Sequence, residues 1–287
     1  METIHYTNMQ DEQMILNKKD INNFQHLIWD FYEKNRRSFA WRNTTNPYHI
    51  VVSEIMLQQT QTYRVEPKYD HFLEKFPTFN SLANATLSEV LAAWQGLGYN
   101  RRGKMLYETA KKVMNEFQGT LPNSTETLET FPGIGPATAA SICAYAFNAP
   151  TVFIETNIRA VYIFHFFPGL TDIHDRDIRV LVEQTLDTEN PREWYYALMD
   201  YGVYLKKNAK NPARKSAHHI KQSTFEGSDR QIRGRILKLL LHYKCLSYDS
   251  LLDALTSEQM RTDKILEQLC QEKLICSHDN YFMIADE

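Results

Sequence analysis

The sequence has little of what marks disulfide-rich, zinc-binding and membrane-spanning chains. Of its 287 residues only four are cysteine (Cys143, Cys245, Cys270 and Cys276). None forms a C-x-x-C pair and no histidine stands at ligand spacing from one, so neither a disulfide framework nor a zinc site is indicated; no metal and no cofactor is expected. Glycine and proline number 10 each, too few for a fibrous or linker-dominated chain. Long apolar runs are missing: Ile236 to Leu241 has Lys238 inside it, and a membrane helix needs about 20 apolar residues. The opening Met1-Glu2-Thr3-Ile4-His5-Tyr6 lacks the basic-then-apolar layout of a secretory leader, so a cytoplasmic location is expected, at the nucleoid if the source is bacterial. An excess of positive charge is missing too. The net charge is -3, so a polyanionic partner has to be held by local patches rather than by global attraction.

What is present is helical patterning. Apolar residues recur at helical spacing over Asn22–Tyr32, and Asn46-Pro47 supplies a cap and a first-turn proline before Ile50–Leu57. The same reading predicts helices over Val65–Phe76, Ser88–Gln95, Lys104–Phe117, Thr125–Thr130, Ala137–Tyr145 and Asn157–Phe164, punctuated by Pro77, Gly96, Gly98, Gly119, Pro122, Pro150 and Pro168. Residues 1–20 read as a flexible lead-in. Lys206 to Phe225 holds six Lys/Arg and no acidic residue, and reads as a basic loop. Beyond it, Gln231–Leu241, Tyr248–Leu255 and Thr262–Gln271 read as helices, and two short apolar segments flank Ser277-His278-Asp279-Asn280 as a hairpin. Three helices and a hairpin predict a winged-helix-like domain over 226–287; a generic helical tail is the alternative.

The strongest local signal is Pro132-Gly133-Ile134-Gly135-Pro136-Ala137-Thr138, a glycine turn between a short helix and a longer one. Two glycines let the backbone approach a ligand closely and leave N–H groups at a helix start, which suits a DNA phosphate without reading sequence. That makes it a helix-hairpin-helix candidate; an ordinary inter-helix turn is the plainer reading. About twenty residues on, Glu155-Thr156-Asn157 places a carboxylate between an apolar run and a new helix.

Hairpin and carboxylate in this order, together with Trp41-Arg42, Pro47-Tyr48, Ser53-Glu54-Ile55-Met56-Leu57-Gln58-Gln59-Thr60-Gln61, Trp94 to Arg101 and Leu198-Met199-Asp200-Tyr201-Gly202, resemble the MutY-type adenine glycosylases of the helix-hairpin-helix superfamily block by block. The resemblance covers roughly residues 25–205. It implies a mainly α, two-lobed helix-hairpin-helix glycosylase fold over 21–225, with a six-helix lobe at about 45–150 and a second lobe from 21–44 and 151–225. It also implies a monomer acting on double-stranded DNA that carries a mismatched or damaged base.

Cleaving a purine N-glycosidic bond calls for one neutral carboxyl to protonate the leaving base and one ionised carboxylate to stabilise an oxocarbenium-like sugar. Glu54, within an apolar helix that favours its neutral form, is the expected acid. Glu155 is the expected stabiliser or nucleophile, and Asn157 completes the catalytic set. The family carries Asp where Glu155 stands, a methylene shorter. Ala137 stands where bifunctional relatives carry a Schiff-base lysine, so no lyase chemistry is expected. The resemblance implies DNA contacts from Gln58, Gln59, Thr60, Leu97, Tyr99, Arg101, Pro132, Gly133, Gly135, Ala137, Thr138 and Arg159, and Arg102 and Lys104 beside them are candidate phosphate contacts. A four-cysteine iron-sulfur cluster common in the family falls at Lys206, Ala213, Ser216 and Gln222, so none is expected. Nor is the family's Nudix-like C-terminal domain expected in the residues after the basic loop, which pattern as a winged helix. The expected activity is a monofunctional glycosylase in base excision repair, acting on adenine opposite G or 8-oxoG. The alternatives are another lesion (mismatched T or U, or an alkylated purine) and a non-catalytic DNA-structure binder.

Overall fold

The computed structural model describes residues 15–219, 224–255 and 259–286. Along the chain run α1 (Lys18–Asn35), α2 (Pro47–Leu57), α3 (Thr62–Lys75), α4 (Phe79–Ala83), α5 (Leu87–Trp94), α6 (Arg101–Glu116), α7 (Thr125–Leu128), α8 (Pro136–Phe147), α9 (Thr156–Phe166), α10 (Asp175–Thr185), α11 (Pro191–Asn208) and α12 (Asp229–Tyr243). Then come β1 (Cys245–Ser247), α13 (Tyr248–Leu255), α14 (Gln259–Gln271), β2 (Ile275–His278) and β3 (Tyr281–Ile284). Among the described residues no helix is long and apolar enough to cross a membrane.

Local chemistry sets many of the boundaries. Thr86 caps α5 in a reciprocal box with Glu89, Thr78 and Ser81 do the same for α4, and Pro136 and Pro191 open α8 and α11 at the first turn. Asn148 closes α8 in the left-handed conformation.

The chain divides into two compact units. The first comprises the described residues of Met1–Ile50, Asn123–Glu129 and Ile134–Lys221. Phe24, Ile28 and Tyr32 recur every four residues on α1 and form one core with Val161, Tyr162 and Phe166 of α9 and Trp194 and Leu198 of α11. Asp200, only 3% exposed, takes both terminal nitrogens of Arg42 at 2.9 Å and the Nε of Arg37 at 2.6 Å. Gly202 lies so close to α9 that a Cβ there would meet the Asn157 carbonyl oxygen at 2.4 Å.

The second unit comprises the described residues of Val51–Pro122, Thr130–Gly133 and Gln222–Glu287. Gly103 lets α6 approach Trp94, whose ring a Cβ would meet at 2.9 Å. The C-terminal segment has the order helix, strand, helix, helix and hairpin of a winged helix. Its antiparallel sheet runs β1-β3-β2, with Leu246 opposite Phe282 and Cys276 opposite Met283. Ile236 and Leu240 of α12, Leu251 of α13 and Leu269 of α14 form one core with Leu87 and Leu91 of α5. Burying each such side chain contributes about 1.5–3 kcal/mol, so the module is fused to α5.

The expected limits shift accordingly. The lobe boundary expected at 44/45 falls after Ile50, inside α2, and α7 and α8 belong to the first unit, because Ala140, Ala144 and Tyr145 join its core. Order begins before residue 21: Leu16 is buried, its N–H bonds the Gln184 side chain at 2.7 Å, and α1 starts at Lys18. Residues 1–14 of the expected lead-in lie outside the described residues. The expected loop from Lys206 begins as the last turn of α11.

Candidate active site and nucleic-acid interface

In the first unit, Glu155 is the N-cap of α9. Its longer carboxylate does what Asp or Ser does at ordinary caps: Oε1 accepts the N–H groups of Asn157 at 2.5 Å and Ile158 at 2.9 Å. The Asn157 amide donates to Oε2 at 3.1 Å, and its own oxygen accepts Lys206 Nζ at 2.9 Å. Burial pushes the Glu155 carboxyl above the usual carboxylate range, while the N–H groups of Ile158 and Asn157 and the charges of Lys206 and Arg159 pull it back. The result is a half-buried carboxylate fixed at a helix N-terminus, a group suited to facing developing positive charge.

The start of α8 is open on the same unit. No side chain caps it, and Gly135, Pro136 and Ala137 are exposed, with Thr138 half-buried behind them. In the second unit, the Pro132-Gly133 turn is held by side chains bonding its carbonyls: Thr109 to Pro132 at 3.3 Å and Gln58 to Gly133 at 3.2 Å. Gly133 has φ +73°, and a Cβ there would meet Met105 Sδ at 2.7 Å. Glycine is required there on both counts.

Glu54 is half-buried on α2, between buried Val51, Val52 and Ser53 on one side and buried Ile55 and Met56 on the other. Where α2 ends, Arg102 turns inward. It is 8% exposed and donates to the carbonyls of Ile55 at 2.8 Å, Met56 at 3.0 Å and Gln58, and to Thr60 Oγ1 at 2.9 Å. This cation takes up the carbonyls that the end of a helix leaves unpaired. Burial draws its pKa down to about 10, so it stays charged at neutral pH.

Beyond α2, exposed Gln59 (φ 53°) and half-buried Tyr99 (φ 47°) both adopt the left-handed conformation, the latter after Gly96 and Gly98. They flank a groove of about 840 Å³, also lined by Gln58, Arg101, Arg230 and Lys238. Arg64, Arg102 and Arg233 add charge to its walls. Its acid, Glu272, is already paired with Arg233 at 2.5 Å. On a chain of net charge -3, this is the kind of local cationic patch that nucleic-acid binding requires.

The structure therefore groups Gln58, Gln59, Tyr99 and Arg101 around one groove, and Glu155, Asn157 and Arg159 at the start of α9. It reassigns several expected contacts. Leu97 also borders the groove but is only 1% exposed. Arg159 holds Asp175 in a two-pronged ion pair at 2.7 Å, which commits its guanidinium within the protein. Arg102 is the buried cap just described, and Lys104 pairs with Glu108. The Thr60 hydroxyl is bonded to Arg102.

The side chains at the four iron-sulfur positions do not fit a cluster, since none is a thiolate. Lys206 bonds Asn157, Ala213 is buried, and Ser216 pairs with Ile173 in a parallel bridge closed by Ile173 N–H to Lys215 O at 3.1 Å and Ala217 N–H to Ile173 O at 3.0 Å. Gln222 lies outside the described residues. Among the described residues no three His, Cys, Asp or Glu side chains are grouped to hold a metal ion.

Arg230 is not apparent as a site residue in the sequence, and Lys206 stands out there only as the start of the basic loop. Lys206 follows Gly202 by one helical turn, a spacing that α11 turns into proximity. Arg230 is distant in sequence from the Tyr99 loop it meets.

A family model described as HhH-GPD superfamily base excision DNA repair protein matches residues 52–185. An adenine DNA glycosylase of Mycolicibacterium smegmatis is 31% identical over 283 residues, covering 91% of this chain and 95% of that protein. One of Buchnera aphidicola is 34% identical over 193 residues, covering 65% of this chain, which spans only about half (54%) of that relative's length. The solved structure of a thermostable thymine-DNA glycosylase is 28% identical with a TM-score of 0.59, covering 64% of this chain and 87% of the other.

Proposed function

The chain belongs to the adenine DNA glycosylase family of the HhH-GPD superfamily, and from that premise we propose that it hydrolyses the N-glycosidic bond of a mispaired adenine, opposite G or 8-oxoG, in double-stranded DNA. The observation that carries the reading is the seating of Glu155, a carboxylate held by two backbone N–H groups and an amide at the start of α9. A group so fixed stabilises an oxocarbenium-like sugar at little reorganisation cost. Glu54, half-buried in an apolar helix, serves as the acid that protonates the base and then helps activate water. The open start of α8 takes a DNA phosphate, and the groove beside Gln59 and Tyr99 takes the distorted duplex from which the base has been rotated. Ala137 supplies no amine, so the product is an abasic site without strand cleavage.

The test is single-turnover base release from duplexes with A opposite 8-oxoG, A opposite G, T or U opposite G, hypoxanthine, or an alkylated purine, each read with and without alkali. Adenine release that Glu54→Gln abolishes while duplex binding persists is the expected result. An unchanged rate in Glu54→Gln removes Glu54 as the acid. A second reading, removal of mismatched thymine, draws on the likeness to the thymine-DNA glycosylase structure; release from the T opposite G duplex alone would select it.

A further inference from the structure

We propose that Lys206 is a positioning residue for Glu155, acting through Asn157, at a place where the resembled family carries the first cysteine of its cluster. Three observations meet here. Gly202 brings the backbone of α11 against Asn157, and one turn on, half-buried Lys206 reaches Asn157 Oδ1 at 2.9 Å. A lysine ammonium only donates, so it selects the oxygen of that amide and turns the nitrogen away from itself. The nitrogen then donates to Glu155 Oε2 at 3.1 Å, while Oε1 is held by the two N–H groups of α9.

Both carboxylate oxygens are thus fixed. That matters for a glutamate in an aspartate's place, because its extra methylene adds a rotor that must be locked to within about 0.5 Å of the productive geometry. The charges facing Glu155 come from two helices. Lys206 is on α11, and Arg159, on α9, is already paired with Asp175. Lys206 is therefore the cation here without a carboxylate partner of its own among the ion pairs described, and it favours the ionised form of Glu155 against burial.

The inference rests on Glu155 being the group that faces the sugar, so Glu155→Gln is measured beside the Lys206 variants in the full chain. Single-turnover adenine release is followed from pH 5 to 9, together with duplex affinity and thermal unfolding. Lys206→Met keeps the apolar stem and removes the ammonium. It is expected to lose about 10- to 100-fold in rate at neutral pH, to move the acid limb of the rate profile to higher pH, and to bind duplex within about threefold of wild type. Lys206→Arg, which can still donate to Asn157, should recover most of the rate and return the acid limb toward its original position. This second variant carries the test if Lys206→Met fails to fold: an Arg variant as slow as Glu155→Gln would count against positioning.

A Lys206→Met enzyme with wild-type rate and acid limb, beside an inactive Glu155→Gln, overturns the inference and leaves the function intact. An active Glu155→Gln overturns the inference together with the assignment of Glu155 to the sugar, while the adenine release it displays leaves the function standing.

Discussion

Arg230 of α12 donates to the Tyr99 hydroxyl at 2.7 Å and lies 5.4 Å from the centre of its ring. Arg102 lies 5.4 Å from the same ring, so Tyr99 is held by two guanidinium groups. An aromatic residue at φ 47° carries backbone strain of about 1–3 kcal/mol, and a charged hydrogen bond of about 1.5–3 kcal/mol offsets it. The C-terminal module thereby fixes a residue of the groove proposed to take the duplex. Arg230→Ala should weaken binding of a mismatched duplex by about 3- to 10-fold, measured by fluorescence anisotropy. Tyr99→Phe, which keeps the ring and drops the acceptor, should show part of the same loss. Wild-type affinity in both variants would mean that the clamp has no part in binding.

Gly202 and Gly234 are both helical, yet substitution should act in opposite directions. A Cβ at Gly202 meets backbone atoms of Asn157 at 2.4 and 2.7 Å, whereas at Gly234 nothing lies within 4 Å. Backbone cannot swing aside as a side chain can. Gly202→Ala should cost about 1–3 kcal/mol and slow base release by disturbing Asn157 and Glu155. Gly234→Ala should stabilise α12 by about 0.5–1 kcal/mol. Thermal unfolding of the two variants decides it, and similar melting shifts would contradict the packing described.

Asp200 is the shared acceptor for Arg37 and Arg42, and both it and Arg42 are buried. Asp200→Asn keeps the shape but leaves the Arg42 charge uncompensated in the core, a change that costs about 3–5 kcal/mol. Urea unfolding should reveal the loss even where activity at low temperature survives. A variant within about 0.5 kcal/mol of wild type, the range of ordinary surface changes, would show that water compensates Arg42 instead.

Two blocks legible in the sequence, Trp41-Arg42 and Leu198 to Gly202, acquire their reason only in three dimensions, where Arg42 meets Asp200 and Gly202 meets Asn157. The sequence carries the residues, because charge and the absence of a side chain are local facts; it does not carry the pairing, because more than 150 positions separate Arg42 from Asp200. The hairpin was legible from glycine spacing, and Glu155 from its place before a helix. β1 was not, since three residues are too short to show a period of two. The resemblance implies a contact from Leu97, whose side chain is 1% exposed, because a loop position alone does not say which side chain turns toward the core beneath it. The lysine run hides the last turn of α11, so Lys206 reads as loop in the sequence. Its role depends on a helix phase that Gly202, not charge, sets.

His165 gives the first unit a pH dependence of definite sign. Burial lowers its pKa from 6.5 to about 4; it shares a 3.0 Å hydrogen bond with the Tyr201 hydroxyl and packs edge-on to Phe24. The unfolded chain takes up a proton near 6.5 and the folded chain only near 4, so the unfolded state binds more protons between those values. Stability is therefore fully present above pH 6.5, falls as the pH drops toward 4, and loses a few kcal/mol at most across the window. His165→Phe removes this titration together with the Tyr201 hydrogen bond, worth about 1 kcal/mol. The variant should be less stable than wild type at pH 7.5 and should close or reverse that gap at pH 5. Urea midpoints at the two pH values make the comparison. An equal difference at both would mean that His165 titrates normally in the folded protein and that its ring is reached by water.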